Sequence, residues 1–494
     1  MGGAPVTRTV IDDEDTQGLL RFGYRDLREA TYVLLRVRNA AAARAWLGSA
    51  RLTSAVLCPD APDTALQVAF TAQGLSALGV PVAVINGFSH EFVSGVNEPS
   101  RSRRLGDVGP DEPGRWTWGG NPGTTPHVLV MFFARPGKLH SFMQRIVEDV
   151  AWMDGFEEIR RLTTTDLDDN EPFGFKDGIS QPEIDWALRT DAAASRTAYD
   201  NRAALGEFVL GYPNEYGKYT ERPLLDPGPA TRTLPSALDA PRRKDLGRNG
   251  TYLVMRQLRQ DVAGFWRFLE DQAKGDRALA ERLGSVMVGR TKAGDPLVTT
   301  APSASQNDFD FDDDPLGATC PIGAHIRRAN PRNADYVGHP GWVGRLFAAL
   351  GFGRTGFRDD LTSSVRFHRI LRRGREYERA LSPEEIGAGG DAGERVERGL
   401  HFVCLNANIS RQFEFVQNAW AMNDRFSGLP GENDPLIGNH VATASGANTF
   451  TVPNENGVRQ RVSGIPQFVT VRGGAYFFLP GLRAMRYFAA VGSA

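Results

Sequence analysis

Apolar residues recur along this chain in two spacings. Nearly continuous apolar runs, YVLLRV at 32–37, LQVAFT at 66–71 and HVLVMFFA at 127–134, predict strands, and EEIRRLTTTDL at 157–167 predicts a fourth. AAAARAWL at 40–47 and KLHSFMQRIVEDVA at 138–151 instead carry the three-and-four spacing of helices. The order is β-α-β-β-α-β. Beyond a Pro-, Gly- and Arg-rich connection at about 212–249 it recurs, with a strand at 251–258, a helix at 262–273, strands at 365–373 and 400–407, a helix at 411–422 and a strand at 467–479. The repetition predicts an α+β fold of two ferredoxin-like (β-α-β-β-α-β) domains, 1–245 and 246–494, each an antiparallel sheet with helices on one face. The second domain carries a long insertion, about 275–364, between its helix and its second strand.

Composition narrows the function classes. The 494 residues provide enough apolar material for large cores, at 41% hydrophobic and 23% charged, and the formal net charge of -2 speaks against nucleic acid as a partner. The segment MGGAPVTRTVIDDEDTQG lacks the apolar core of a secretory signal, and no run approaches the ~18 apolar residues of a membrane span. A cytoplasmic protein without a membrane partner is expected. Cys58, Cys320 and Cys404 are odd in number and far apart, so neither a disulfide framework nor a paired metal motif is predicted. Cys-x-x-Cys-His is absent, which removes covalently attached haem, and so are the P-loop, Gly-x-Gly-x-x-Gly after a strand, and Gly-x-Ser-x-Gly.

Four stretches carry candidate chemistry. EPFGFKDGISQP sets Asp177 between Gly174 and Gly178, which suits either a tight turn or a carboxylate presented to a bulky ligand. The acidic run Asp308, Asp310 and Asp312 lacks the Gly and the final Glu of a calcium loop and reads as a solvated loop. His325, in CPIGAHIRRANPR, has no second His or carboxylate at metal-site spacing. A lone imidazole suits iron when a porphyrin supplies the remaining ligands, and Cys320 ranks below it as a ligand. RFHRILRRG at 366–374, with five basic residues, reads as a charged edge strand.

GFKDGISQP and CPIGAHIRRANPR resemble the Gly-x-x-Asp-Gly signature and the proximal-histidine segment of the dye-decolourising peroxidases, in their longer bacterial and fungal form. The likeness runs in order along nearly the whole chain, through QGLLRFGYRDLREATYVLLRV, GEFVLGYPNEYG, NGTYLVMRQLRQDV, RILRRGREY, GLHFVCLNANISRQFEFVQ and VRGGAYFFLPGLRAMR. The resemblance implies two ferredoxin-like domains of the dimeric α/β barrel-like superfamily, the first supplying the distal Asp loop and the second binding haem. It implies one non-covalent haem b per chain with His325 as axial iron ligand, Asp177 and Arg372 as distal catalytic groups, Leu400 and Phe402 as an apolar distal pair, and Glu414 as the acidic partner of the proximal imidazole. The implied substrates are hydrogen peroxide and an organic reductant such as a dye or a phenol, acted on by a monomer or a homodimer. After Arg-Arg-Gly the chain departs from the family's usual Ile-Pro-Tyr-Gly, reading Arg375-Glu376-Tyr377-Glu378, which alters the rim of the pocket.

Overall fold

The computed structural model describes residues 11–58, 62–188, 201–298, 306–311, 313–332, 364–381, 385, 396–441, 448–454 and 457–492. Asp312 and residues 299–305 and 333–363 of the predicted insertion lie outside the described residues. In the first half, β1 (Glu29–Val37), β2 (Thr64–Phe70), β3 (Val128–Ala134) and β4 (Phe156–Thr163) pair antiparallel in the order β2-β3-β1-β4. In the second, β5 (Thr251–Gln260), β6 (Leu371–Arg372), β7 (Arg375–Tyr377), β8 (Gly399–Asn406) and β9 (Val469–Leu479) follow the order β6-β8-β5-β9, with β7 also on β8. Each half therefore places its first and third strands at the centre, the ferredoxin-like arrangement. The halves join edge to edge where Phe70 pairs with Phe478, forming one antiparallel sheet.

The strands read as unbroken apolar runs because the sheet is buried on both faces. Side chains alternate, so Val33 and Leu35 pack with Trp46, Leu47 and Phe488 from helices α1 (Ala40–Ser49) and α6 (Leu482–Ala490). Tyr32 and Leu34 face the other way, into Leu19, Leu20, Phe208 and Tyr212. Helices cover one face as expected, while loop and turn segments close the other. Helices α2 (Leu139–Val147) and α3 (Val262–Gln272) follow the predicted pattern, and Asp261 starts α3 by accepting from Gly264 N at 2.9 Å, whereas α4 (Arg277–Val288) is a helix at the start of the segment read as an insertion. No described helix is long and apolar enough to cross a membrane.

Two elements differ from their prediction, both beside the site. Residues 365–373 form a short 3-10 turn, Ser364–Phe367, before only two strand residues in β6. Arg366 and Arg369 are buried, so this segment is not the solvated charged edge its composition suggested. The stretch 411–422 is helical but wide, with Glu414 N bonded to Ile409 O and Met422 N to Gln417 O, five residues back in each case.

Candidate active site

The loop after β4 is shaped by Glu171, whose carboxylate accepts from Phe173 N and Phe175 N at 3.0 Å each and from Gln260 Nε2 at 2.8 Å. Gly174 and Gly178 have φ of 95° and 74°, a region that favours glycine. A Cβ at Gly174 would meet nothing within 4 Å, so backbone conformation alone explains the glycine there. These turns carry Asp177 to Arg372 at the end of β6, where Nη1 donates to Asp177 Oδ1 at 2.8 Å and Nη2 to Ser180 O at 3.3 Å. Gln181 fixes that strand from both sides, accepting from Arg372 N at 3.0 Å and donating to Arg372 O at 3.2 Å. Burial works to raise the pKa of Asp177, yet the charge and hydrogen bond of Arg372, with Gly178 N–H, outweigh it and hold the carboxyl below its ordinary range.

His325 opens the five-residue helix α5 (His325–Ala329). The segment before it turns on the buried Asp314, which accepts from the backbone of Ala318, Thr319 and Cys320 and from Arg327. Arg328 reaches out of α5 to Trp420 O at 2.8 Å, Asn423 O at 3.0 Å and Glu432 O, tying the helix to the wide helix and to the segment beyond it. That segment supplies Asp434, fully buried, with Oδ2 2.9 Å from His325 Nδ1. Burial raises the pKa of Asp434, but His325 outweighs it and keeps the carboxyl low; a carboxylate only accepts, so Nδ1 carries the hydrogen. Burial lowers the pKa of His325 but Asp434 outweighs it and raises it, and in the neutral ring Nε2 carries the free lone pair.

The imidazole's acidic partner is thus Asp434 and not Glu414. On the wide helix Phe413, Val416, Gln417 and Trp420 line the cavity, while Glu414 lies on another flank, 2.6 Å from Arg101 Nε and accepting from Tyr476 Oη at 3.0 Å. The turn at Asn433-Asp434-Pro435 carries a sequence signal only for local structure: Asp434 Oδ1 accepts from Leu436 N and Ile437 N. Nothing local points to a histidine 109 residues away.

Asp177, His325, Arg372, Leu400 and Phe402 all line one cavity of about 270 Å³. An outer cavity of about 940 Å³ shares Asp177, Gln181, Arg372, Leu400 and Phe402 with it but does not reach His325. The acid and the guanidinium therefore line both cavities, and the imidazole only the first. The inner walls are mostly apolar, among them Phe413, Leu436, Val469 and Val471, and neither Cys320 nor Cys404 takes part. Arg256 also lines the cavity; its Nη2 pairs with Asp107, while Nε and Nη1 are buried without hydrogen-bond partners among the described residues. A free imidazole nitrogen, apolar walls and unmatched guanidinium hydrogens fit a flat, carboxylate-bearing macrocycle held without a covalent link.

Known proteins resemble this chain over nearly its whole length. No family model matches the chain. The multifunctional dye peroxidase DyP2 of Amycolatopsis sp. is 29% identical over 451 residues, 88% of this chain and 83% of that one. Dye-decolorizing peroxidase msp1 of Mycetinis scorodonius is 29% identical over 510 residues, 96% of this chain and 86% of that one. The crystal structure of a fungal DyP-type peroxidase from Auricularia auricula-judae superposes with a TM-score of 0.71 at 25% identity, covering 98% of this chain and all of that one. The chain is a full-length relative of the dye-decolorizing peroxidase family. This is a family of haem peroxidases, and the α+β fold expected from the repeated strand-helix pattern is the fold observed.

Proposed function

We propose that this protein is a haem b peroxidase that reduces hydrogen peroxide with Asp177 and Arg372 and oxidises dyes, phenols or similar organic donors. The observation that carries the reading is the cavity itself, lined by an imidazole anchored by Asp434 and by an ion-paired carboxylate and guanidinium. His325 Nε2 would hold the iron of one haem per chain, and Arg256 would meet an acidic substituent of the ring. Bound there, haem supplies the two-electron reduction of peroxide and the return of those oxidising equivalents to a donor one at a time.

The chain's own groups do the rest. Asp177 takes the proton of the incoming peroxide and returns it to the departing oxygen, help that is typically worth about 10² to 10⁴ in rate. The Arg372 guanidinium presents fixed donors to the oxygen that gains negative charge. Gln181 and Ser180 hold Arg372 in place for that task. Asp434 keeps the hydrogen on Nδ1 and so keeps Nε2 available as a ligand. Leu400 and Phe402 narrow the passage from the outer cavity, which confines the inner space to small molecules.

The test is stopped-flow mixing of the haem-loaded protein with one equivalent of peroxide. Asp177→Asn combined with Arg372→Leu is expected to slow the Soret change at least about 10²-fold. A rate equal to that of the unaltered protein would move the chemistry to other residues.

A further inference from the structure

The outer cavity contains an acid that the peroxide chemistry does not use. Glu376 lies on β7 directly opposite Leu400, and Arg372 lies on β6 opposite Cys404. Residues paired across antiparallel strands share a face, as do residues two apart on one strand. Glu376 therefore projects to the side of the sheet that carries Leu400, Phe402 and Arg372, and all four line the outer cavity. Its neighbour Arg375 points the other way, donating to Tyr24 O at 2.6 Å and Arg28 O at 3.2 Å with its guanidinium over the Phe133 ring. Apart from its own backbone N–H, the Glu376 carboxylate has no hydrogen-bond or ion-pair partner among the described residues. It stands where the chain departs from the family's usual rim sequence.

The groups that face it define its proton affinity. Asp177 and Glu171 approach from the loop after β4 and Arg372 from β6, the charge of Arg375 acts from the opposite face of β7, and Asp166 and Arg28 pair at 3.2 Å beside the backbone of the same strand. Burial first, then the charges of Asp177 and Glu171, push the Glu376 carboxyl up to about 7 against the pull of its own N–H and of Arg375. A base of that strength exchanges protons readily near neutrality, where a carboxyl of ordinary pKa is a weak acceptor.

We infer that Glu376 is the base that accepts the hydroxyl proton of small phenolic donors lodged in the outer cavity. The inference rests on the peroxidase reading above. In the step, the phenol O–H bond breaks, the electron passes to the peroxide-oxidised haem, the proton goes to the Glu376 carboxylate, and a phenoxyl radical leaves. The protonated Glu376 then returns its proton to water. Because the carboxylate form accepts, phenol oxidation rises with pH through the Glu376 pKa; a donor that gives up an electron without a proton has no such requirement.

The experiment uses the haem-loaded full chain and Glu376→Gln, first mixed with peroxide and then with 2,6-dimethoxyphenol or with ferrocyanide. In the unaltered protein the phenol rate is expected to climb across pH about 7, and in the variant to lose that climb and fall about 10²-fold. The ferrocyanide rate and the preceding peroxide step should stay within about threefold, and Glu376→Asp should restore part of the phenol rate. Equal losses for phenol and ferrocyanide, or an unchanged phenol rate in the glutamine variant, would overturn the inference. Infrared difference spectra of the resting protein between pH about 6 and about 8 give a second readout. Burial also pushes the carboxyls of Glu171 and Glu207 up to about 7, so the protonated-carboxyl band is expected to shrink in the variant by the share of one carboxyl, and a band of equal size in both would assign the titration elsewhere. Failure of the peroxidase reading looks different, since peroxide would then leave the Soret band unchanged before any donor is added.

Discussion

Arg372 touches Asp177 at 2.8 Å, and that contact sets how far into acid the carboxylate remains a base. The folded-state pKa of Asp177 is depressed, so the carboxylate is ionised above that value and is lost as pH falls through it. Replacing Arg372 by Leu removes the main depressing charge while leaving burial, so the acid limb of the peroxide reaction should move to higher pH. Its position in a pH series of Soret kinetics checks this, and an unmoved limb would separate Asp177 from the reaction. Behind the imidazole, Asp434→Asn should leave haem bound but weaken the electron donation of His325, raising the reduction potential of the iron in a spectroelectrochemical titration. Asp177, His325 and Arg372 stand out in the sequence through the resemblance of their motifs to a known family, since local pattern alone gives a turn, a lone imidazole and a charged strand. Asp434 does not, because its neighbours record only the turn it caps, and Glu414 was chosen from a stretch whose register is shifted by wide helical turns. Arg256 went unremarked because a charged residue inside a strand, TYLVMRQLRQ, shows nothing of the cavity it faces.

At the scale of elements, the wide helix at 410–421 divides its residues between two tasks. Phe413, Val416 and Trp420 face the cavity, while Glu414 ties the helix to Arg101 and Tyr476, all three buried. Glu414→Gln leaves the Arg101 guanidinium enclosed without its counter-charge, a loss expected to cost about 3–5 kcal/mol. Thermal unfolding should therefore begin at a lower temperature, and the fraction of protein that still folds should bind haem at His325 as before. Loss of haem affinity with undiminished stability would return Glu414 to the proximal role. The central strands are readable because both faces are covered, so each shows as an apolar run, whereas the edge strand β4, FEEIRRLT, is largely exposed and does not. Segment 365–373 was misread for the converse reason: its arginines turn inward, Arg369 toward the cavity and Arg372 onto Asp177, and basic residues in a row look the same whether they meet water or a site.

Across the whole molecule the site is assembled from both halves of the sheet. The loop after β4 brings Asp177, β6 brings Arg372 and α5 brings His325, which lie far apart in sequence and meet at one cavity. The repetition of strands and helices announced the two halves, but not that they join at Phe70 and Phe478 or that the site forms where their loops converge. The account depends on His325 holding haem through Nε2. The decisive measurement is the Soret spectrum of the full chain after haem loading and gel filtration, compared with His325→Ala before and after added imidazole. The unaltered protein should retain haem with a band that moves on one equivalent of peroxide, the variant should lose the band, and imidazole should restore it. A variant that keeps the same haem content and the same spectrum without imidazole would contradict the account.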